Sequence, residues 1–224
     1  MKVVACARNI QAIQKLSEEV KDQAGTVTAV KCDVSKQEEV AAMFQTIRQD
    51  SGLGRVDVCI NNAGLGHHAP LLTGDPALWK HMFDVNVLGL MMVTRESFQL
   101  MQENNIDDGH IILVNSMAGI QVVDNKNIHC YSATKFAVSA IREGLRHELR
   151  ELKSNVRISQ VCPGIVETEF ALRRTQSAEE AAKFYSHIKC LQAEDIRDAI
   201  LYLLDSPPHV EINDIHMLPT EQKW

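Results

Sequence analysis

The sequence predicts an α/β fold built on a doubly wound parallel sheet. Short runs rich in β-branched residues alternate with longer helical patterns along the whole chain. Several of these runs are apolar at consecutive positions, which is typical of strands that helices cover on both faces. Strand–helix–strand units connect with a right-handed crossover, so we expect them to share one open sheet. We find no linker or repeat along the chain and therefore expect one Rossmann-like domain over residues 1–224.

The individual elements follow from local patterns. The β-branched runs predict strands at 3–7, 26–31, 56–60, 110–115, 156–161 and 215–218. The helical patterns begin near residue 9, after residues 35 and 75, and cover 131–152, 177–188 and 194–204. Ser35 and Glu38 have the spacing of a capping box, and Asp75 followed by Pro76 predicts a capped helix with proline in its first turn.

Composition and charge exclude several classes of protein. With 45% hydrophobic and 23% charged residues, the chain resembles a soluble protein with an aliphatic core. The net charge of -6 argues against a nucleic-acid or anionic-membrane partner, because both require clustered positive charge. The longest apolar stretch, near residues 85–93, is much shorter than the roughly 20 residues that a membrane span needs. We therefore expect a cytoplasmic protein without a membrane span.

Cysteine and histidine spacing predicts neither disulfides nor a metal site. The 6 cysteines are widely separated and form no Cys-x-x-Cys pair, which indicates reduced and mostly buried thiols. None of the 9 histidines has the spacing of a zinc-ligand set.

One glycine pattern imitates a dinucleotide-binding turn. The run Gly64-Leu65-Gly66-His67-His68-Ala69 satisfies the Gly-x-Gly-x-x-Gly/Ala pattern after a predicted strand. The pattern requires a helix directly behind it, and Pro70 and Gly74 interrupt the chain there. We therefore interpret this segment as a loop.

Three residues could meet at one edge of the predicted sheet. Tyr131 and Lys135 are four residues apart on a predicted helix and so share one face. Ser116 ends the preceding strand, at the sheet edge where ligands bind in such folds. An ammonium group beside a phenol can lower the phenol's pKa towards the range of a working acid or base. These residues are therefore candidates for proton transfer.

Five motifs resemble, in order and approximate spacing, the family of short-chain dehydrogenases/reductases. The resemblance covers essentially the whole chain. The motifs are Asn61-Asn62-Ala63-Gly64, Asn86-Val87-x-Gly89, Ser116, Tyr131-x-x-x-Lys135 and Pro163-Gly164-x-Val166-x-Thr168. The segments 143–146 and 217–222 are similar to a branch of the family that acts on ketosteroids or isoprenoid alcohols.

The resemblance implies four catalytic residues. Tyr131 would be the general acid, and Ser116 would hydrogen-bond the substrate oxygen. Lys135 would hold the ribose hydroxyls of a nicotinamide cofactor and keep the pKa of Tyr131 low, and Asn86 would hold a water linking Lys135 to solvent. Positioned donors at a developing oxyanion commonly contribute on the order of 3 kcal/mol each.

The resemblance also implies the cofactor contacts. Arg8 stands where an NAD-dependent relative would carry an acidic residue, and a guanidinium can pair with the 2′-phosphate of NADP, so NADP(H) is expected over NAD(H). Further implied contacts come from residues that follow the strands, in addition to Tyr131 and Lys135. They are Asn9, Asp33, Val34, Asn62, Ala63, Gly64, Pro163, Gly164, Ile165, Val166 and Thr168.

The family normally opens with a strand, a glycine-rich phosphate-binding turn and a helix, and this sequence shows none of the three before residue 2. The absent strand would be central, so two strands are expected to carry unpaired edges. Two interpretations stay open. One is an NADP(H)-dependent oxidoreductase that interconverts an apolar carbonyl compound, such as a 17-beta-hydroxysteroid-type ketosteroid, and an alcohol, such as farnesol, here without its start. The other is a non-catalytic short form that binds no cofactor and modulates an oligomer. Family precedent also implies a dimer or tetramer.

Overall fold

Strands and helices alternate in the protein, as a computed structural model shows for residues 1–223. The strands are β1 Lys2–Ala7, β2 Thr26–Lys31, β3 Val58–Asn61, β4 His110–Val114, β5 Arg157–Pro163 and β6 Asp214–Met217. The α-helices are α1 Ile10–Glu19, α2 Gln37–Gln49, α3 Pro76–Phe83, α4 Leu90–Glu103, α5 His129–Glu151, α6 Glu169–Thr175, α7 Ala178–Tyr185 and α8 Ala193–Asp205. A π-helical turn, Asp84–Gly89, joins α3 to α4.

The parallel strands form two sheets instead of the single sheet expected. β1 pairs with β2, and the second sheet has the order β3-β4-β5-β6. Within residues 1–223, β1 and β3 make no ladder with each other, so each has one unpaired edge, as the absence of a central strand predicts. Val3 of β1 and Ile60 of β3 are consequently 40% and 44% exposed. The α/β class and parallel pairing are confirmed, and the single continuous sheet is wrong.

Apolar packing by α2 and α4 connects the two sheets. Phe44 and Ile47 of α2 and Leu100 of α4 form a buried cluster against which Val4 of β1 packs. Val56, just before β3, packs against this cluster and also against the core below β3, β4 and β5. Burial of apolar surface is the main source of folding free energy. The two sheets are thus held by a shared core.

Local capping signals had different outcomes. Asp75 caps α3 as predicted, because its side chain accepts a hydrogen bond from the Ala77 N–H at 2.8 Å and Pro76 occupies the first turn. The Ser35–Glu38 capping box is wrong. The Ser35 hydroxyl and N–H instead donate to Asp33 Oδ1, and α2 begins two residues later.

The thiols agree with the sequence. All six cysteines are free, and five are buried; Cys6 is half-buried. None of the helices in the described part of the chain has the length and apolar character needed to cross a membrane.

Candidate active site

Most of the predicted site residues line one cleft at the carboxyl ends of β3, β4 and β5. The cleft has a volume of about 630 Å³, within the range of small-molecule sites. It brings together residues from the motif after β3, the end of β4, the start of α5 and the segment after β5. The predicted residues among them are Asn62, Gly64, Ser116, Tyr131, Lys135, Pro163, Gly164, Ile165, Val166 and Thr168.

Ser116 is positioned by the turn that follows β4. It is the cap of a short 3-10 helix, and its Oγ accepts a hydrogen bond from the Ala118 N–H at 3.1 Å. The same hydroxyl hydrogen-bonds the phenol of Tyr131. The hydroxyl group of Ser116 and the phenol therefore face one point on the cleft wall.

The pKa of Tyr131 differs from the sequence expectation. Burial raises it to about 12, although the hydrogen bond from Ser116 and the positive charge of Arg174 act in the lowering direction. The Lys135 ammonium lies 5.9 Å from the centre of the Tyr131 ring and does not lower this pKa. The prediction that Lys135 keeps the pKa low is wrong for the geometry seen here, because desolvation outweighs the nearby charges.

Lys135 is buried below Tyr131 and is only 5% exposed. Its Nζ donates one hydrogen bond, to the carbonyl oxygen of Val114 at 3.0 Å. Burial lowers the pKa of this ammonium to about 8, against an opposing effect of Cys162. An ammonium has three N–H donors, and within residues 1–223 the other two have no hydrogen-bond partner. Lys135 therefore fits a ligand with hydroxyl groups, such as a nicotinamide ribose.

Asn86 clamps the loop after β3. It lies in the π-helical turn and is 1% exposed. Its Oδ1 accepts from the Leu65 N–H at 2.9 Å, and its Nδ2 donates to the Leu65 carbonyl oxygen at 2.8 Å and to Thr134 Oγ1 at 3.0 Å. The Thr134 hydroxyl in turn donates to the carbonyl oxygen of Tyr131. The Asn86 side chain thus ties the loop to the helix that carries Tyr131 and Lys135, a function that the motif alone did not reveal.

The segment after β5 is fixed by the C-terminal part of the chain. Gln222 Oε1 accepts from the Ile165 N–H at 2.9 Å. A Cβ atom at Gly164 would stand 2.3 Å from the same oxygen, so only glycine fits there. Glu221 accepts from the Lys189 N–H, at the far end of the helical segment α6–α7. The two ends of that segment are therefore both anchored to residues 221–222.

Helices α6 and α7 cover the cleft. The Thr168 hydroxyl caps α6 by accepting from the Phe170 N–H at 3.2 Å, and Tyr185 at the end of α7 donates to the Thr168 carbonyl oxygen at 2.9 Å. Phe170 packs on Tyr131 with ring centres 5.6 Å apart. This agrees with the expectation that the region 169–190 is a helical cover.

Arg174 and its aromatic neighbours were not singled out from the sequence. The Arg174 guanidinium lies 4.6 Å from the ring centre of Phe184 and 5.9 Å from that of Phe170. All three residues line the cleft. Arg173-Arg174 is an adjacent basic pair of the kind that solvated helices carry, so no local signal distinguishes the inward-facing member.

Other predicted residues lie outside this cleft. Arg8, Asn9, Asp33 and Val34 follow β1 and β2, and Ala63 and Asn86 also do not line it. Although partial burial alone would raise the pKa of Asp33, hydrogen bonds from Ser35 and the charge of Arg8 lower it below its usual value. Arg8 is exposed and makes no hydrogen bond or ion pair with any residue in 1–223.

One group of potential metal ligands was invisible in the sequence spacing. Parallel pairing of β5 and β6 places the ligand atoms of Cys162, Asp214 and His216 within 4.8 Å of one another. Asp214 already pairs with Arg142 at 3.2 Å and accepts a hydrogen bond from Gln160. Because the neighbouring guanidinium opposes a bound cation, we assign no metal to this group.

Comparison with known proteins gives a consistent result. A family model described as short chain dehydrogenase matches residues 1–179. Dehydrogenase/reductase SDR family member 11 of Gallus gallus is 50% identical over 99% of this chain and 88% of its own length. Farnesol dehydrogenase of Aedes aegypti is 34% identical over 100% of this chain and 88% of its own length. Both agree with the branch that segments 143–146 and 217–222 predicted.

Solved structures share the fold. The closed form of a serine dehydrogenase complexed with NADP+ superimposes with a TM-score of 0.86 at 28% identity, covering 100% of this chain and 97% of that one. A metagenomic short-chain oxidoreductase in complex with NADP gives a TM-score of 0.77 at 25% identity, covering 99% and 86%.

Proposed function

Since the chain belongs to the short-chain dehydrogenases and is therefore of an oxidoreductase family, we propose that it interconverts a carbonyl group and an alcohol with NADP(H). The observation that carries this proposal is the convergence of Ser116, Tyr131 and Lys135 on one wall of the cleft. A bound nicotinamide would supply or accept the hydride. The protein's own residues position the substrate oxygen and manage its proton.

The two hydroxyl groups act on the substrate oxygen. As negative charge develops on that oxygen during reduction, the Tyr131 O–H donates its proton and the Ser116 O–H donates a hydrogen bond. A pKa of about 12 keeps Tyr131 protonated at neutral pH. This protonation state supports carbonyl reduction as the favoured direction, since oxidation would require the phenolate. Lys135 would hold ribose hydroxyls with its two unengaged N–H groups.

The preference for NADP(H) over NAD(H) rests on Arg8. Its guanidinium is exposed beyond β1 and has no counter-ion in residues 1–223, so it is free to pair with a 2′-phosphate. Asn9, Asp33 and Val34 would contact the adenosine half of the cofactor from the same edge. Two fold neighbours are described as NADP complexes, which supports the same choice.

The substrate is proposed to be an apolar alcohol or carbonyl compound. The deep part of the cleft is lined by aliphatic side chains, including Val123, Ile128, Ile196 and Ile200. One relative is named farnesol dehydrogenase, and an isoprenoid alcohol suits such a lining. A ketosteroid of the 17-beta-hydroxysteroid type is a second member of the same substrate class.

The assembly is proposed to be a homodimer or homotetramer formed through the long helices. Leu88 and Met91, at the start of α4, are 50% and 46% exposed, and Phe136 of α5 is 39% exposed. Exposed apolar side chains on neighbouring elements are typical of protein interfaces. Six reduced thiols support a cytoplasmic location.

Replacement of Tyr131 tests the activity. We expect Tyr131→Phe to lower kcat by roughly 100- to 10,000-fold, because the proton donor is lost. Its affinity for NADPH should stay within about threefold, since the ring and Lys135 are retained. The control Tyr202→Phe changes a 62% exposed phenol on α8 and should leave kcat unchanged. Retention of kcat in Tyr131→Phe would refute the assignment.

A non-catalytic function is the second candidate, and the separated sheets favour it. The unpaired edges of β1 and β3 lie between the proposed adenosine contacts and the cleft, where a bound dinucleotide would have to pass. Fluorescence titration of the folded 224-residue chain with NADPH separates the two candidates. Saturable binding supports the oxidoreductase, and absence of binding in protein with a native circular dichroism spectrum supports the non-catalytic form.

A further inference from the structure

Arg174 of α6 places a positive charge beside the proton donor of the proposed site. A Cβ atom built on Gly66 would lie 3.5 Å from Arg174 Cδ and 3.5 Å from Tyr131 Cδ2, so both side chains border the same point. The guanidinium stacks on Phe184 at 4.6 Å. Its charge acts to lower the pKa of Tyr131. Arg174 is thus a wall of the substrate end of the cleft.

The guanidinium has no acceptor among residues 1–223. Arg174 Nε is shielded from solvent and makes no hydrogen bond. Neither of the other two nitrogens makes a hydrogen bond or ion pair with any residue in 1–223, and burial lowers the pKa of the group below its ordinary value. The neighbouring Arg173, in contrast, is 70% exposed and pairs with Glu169 at 2.6 Å.

An enclosed cation without a partner is unfavourable unless a ligand supplies the acceptor. The nearby Tyr185 hydroxyl is not available, because it already donates to the Thr168 carbonyl oxygen and accepts from the Ala171 N–H. The flat faces of the guanidinium are covered by Phe170 and Phe184, which leaves its N–H edge for a ligand. A planar fork of N–H donors matches a carboxylate in a two-bond arrangement.

We propose that Arg174 binds a carboxylate group of the substrate, so that this protein acts on apolar hydroxy or keto acids whose reacting carbon lies a few bonds from the carboxylate. The inference rests on the proposed function and narrows its substrate class. Aliphatic residues hold the apolar body, Tyr131 and Ser116 hold the reacting oxygen, and Arg174 holds the acid group. Pairing with the carboxylate neutralises the enclosed guanidinium.

Matched substrate pairs test this site. Hydroxydecanoic acids with the hydroxyl on the second, third or fourth carbon are compared with their methyl esters and with a neutral decanol, using NADP+ and the 224-residue protein. We expect at least one acid to exceed its ester about tenfold in kcat/KM. Preference for the esters throughout the series would overturn the proposal.

Variants separate recognition of the acid from a structural contribution. Arg174→Gln should lower kcat/KM for the preferred acid by about 10- to 100-fold, the range for one charged hydrogen-bonded pair, and leave the ester within about threefold. Arg174→Lys should recover part of the loss, because it restores the charge without the fork. Lys183→Gln removes an exposed positive charge from α7 and should change neither value. Equal losses for acid and ester, or a selective loss of NADPH affinity, would overturn the proposal.

The design distinguishes failure of the site from failure of the activity. If the neutral alcohol or an ester is oxidised but no acid is preferred, the proposed activity stands and the carboxylate site is refuted. If no compound turns over, the activity fails, and calorimetric titration of the acids into wild-type and Arg174→Gln protein decides the site. Binding that Arg174→Gln abolishes supports it, and equal or absent binding refutes it.

Discussion

The Asn86 clamp makes a stability prediction that can be calculated from its contacts. Asn86→Ala removes three hydrogen bonds, two to the Leu65 backbone and one to Thr134, with distances of 2.8 to 3.0 Å. Each contributes about 1 kcal/mol net, so the free energy of unfolding should fall by about 3 kcal/mol. For a chain of this size that corresponds to a Tm lower by about 6–12 °C.

The assay is urea unfolding followed by circular dichroism, with hydrogen exchange of the Leu65 N–H as a local readout. Protection of that N–H should be lost in Asn86→Ala, because its acceptor is gone. The control is Asn104→Ala at the exposed end of α4, whose amide donates to the Leu100 carbonyl oxygen at 2.9 Å. It should cost less than about 1 kcal/mol. A loss below 1 kcal/mol in Asn86→Ala, with Leu65 still protected, would refute the clamp.

Three further predictions concern the cofactor, the buried lysine and the assembly. Arg8→Ala should weaken NADPH binding by about 10- to 100-fold and NADH binding little, as measured by fluorescence titration; equal losses would exclude a phosphate contact. Burial lowers the pKa of Lys135 from 10.5 to about 8, so between these values the unfolded chain binds more protons and stability rises with pH. The rise from pH 8 to 9 should be about 1 kcal/mol larger in wild type than in Lys135→Met by urea unfolding, and parallel curves would contradict the shift. Leu88→Glu should reduce the mass measured by light scattering to that of one 25.0 kDa chain, whereas Leu72→Glu, at a 96% exposed loop position, should leave the oligomer intact; a monomeric wild type would disprove the helical interface.

Local patterns anticipated the elements well. The strand at 26–31 has the predicted bounds, and Asp75 caps its helix through a contact within two residues. The capping box of Ser35 was wrong because Asp33, two residues before, competes for the same hydroxyl. Short-range hydrogen bonds are encoded locally, but neighbouring side chains can offer better partners.

The sequence by itself determined the class of fold, the family and the residues that gather at the cleft. Tyr131 and Lys135 share a helix face because of their spacing, and Ser116 reaches them because parallel strands end at one edge. Only the tertiary structure decided how those residues are tuned. It shows a Tyr131 pKa raised by burial, an Asn86 engaged with Leu65, and an Arg174 without a partner. The division into two sheets belongs to the same category. Burial and pairing depend on segments far apart in the chain, and no local pattern records which groups those segments enclose.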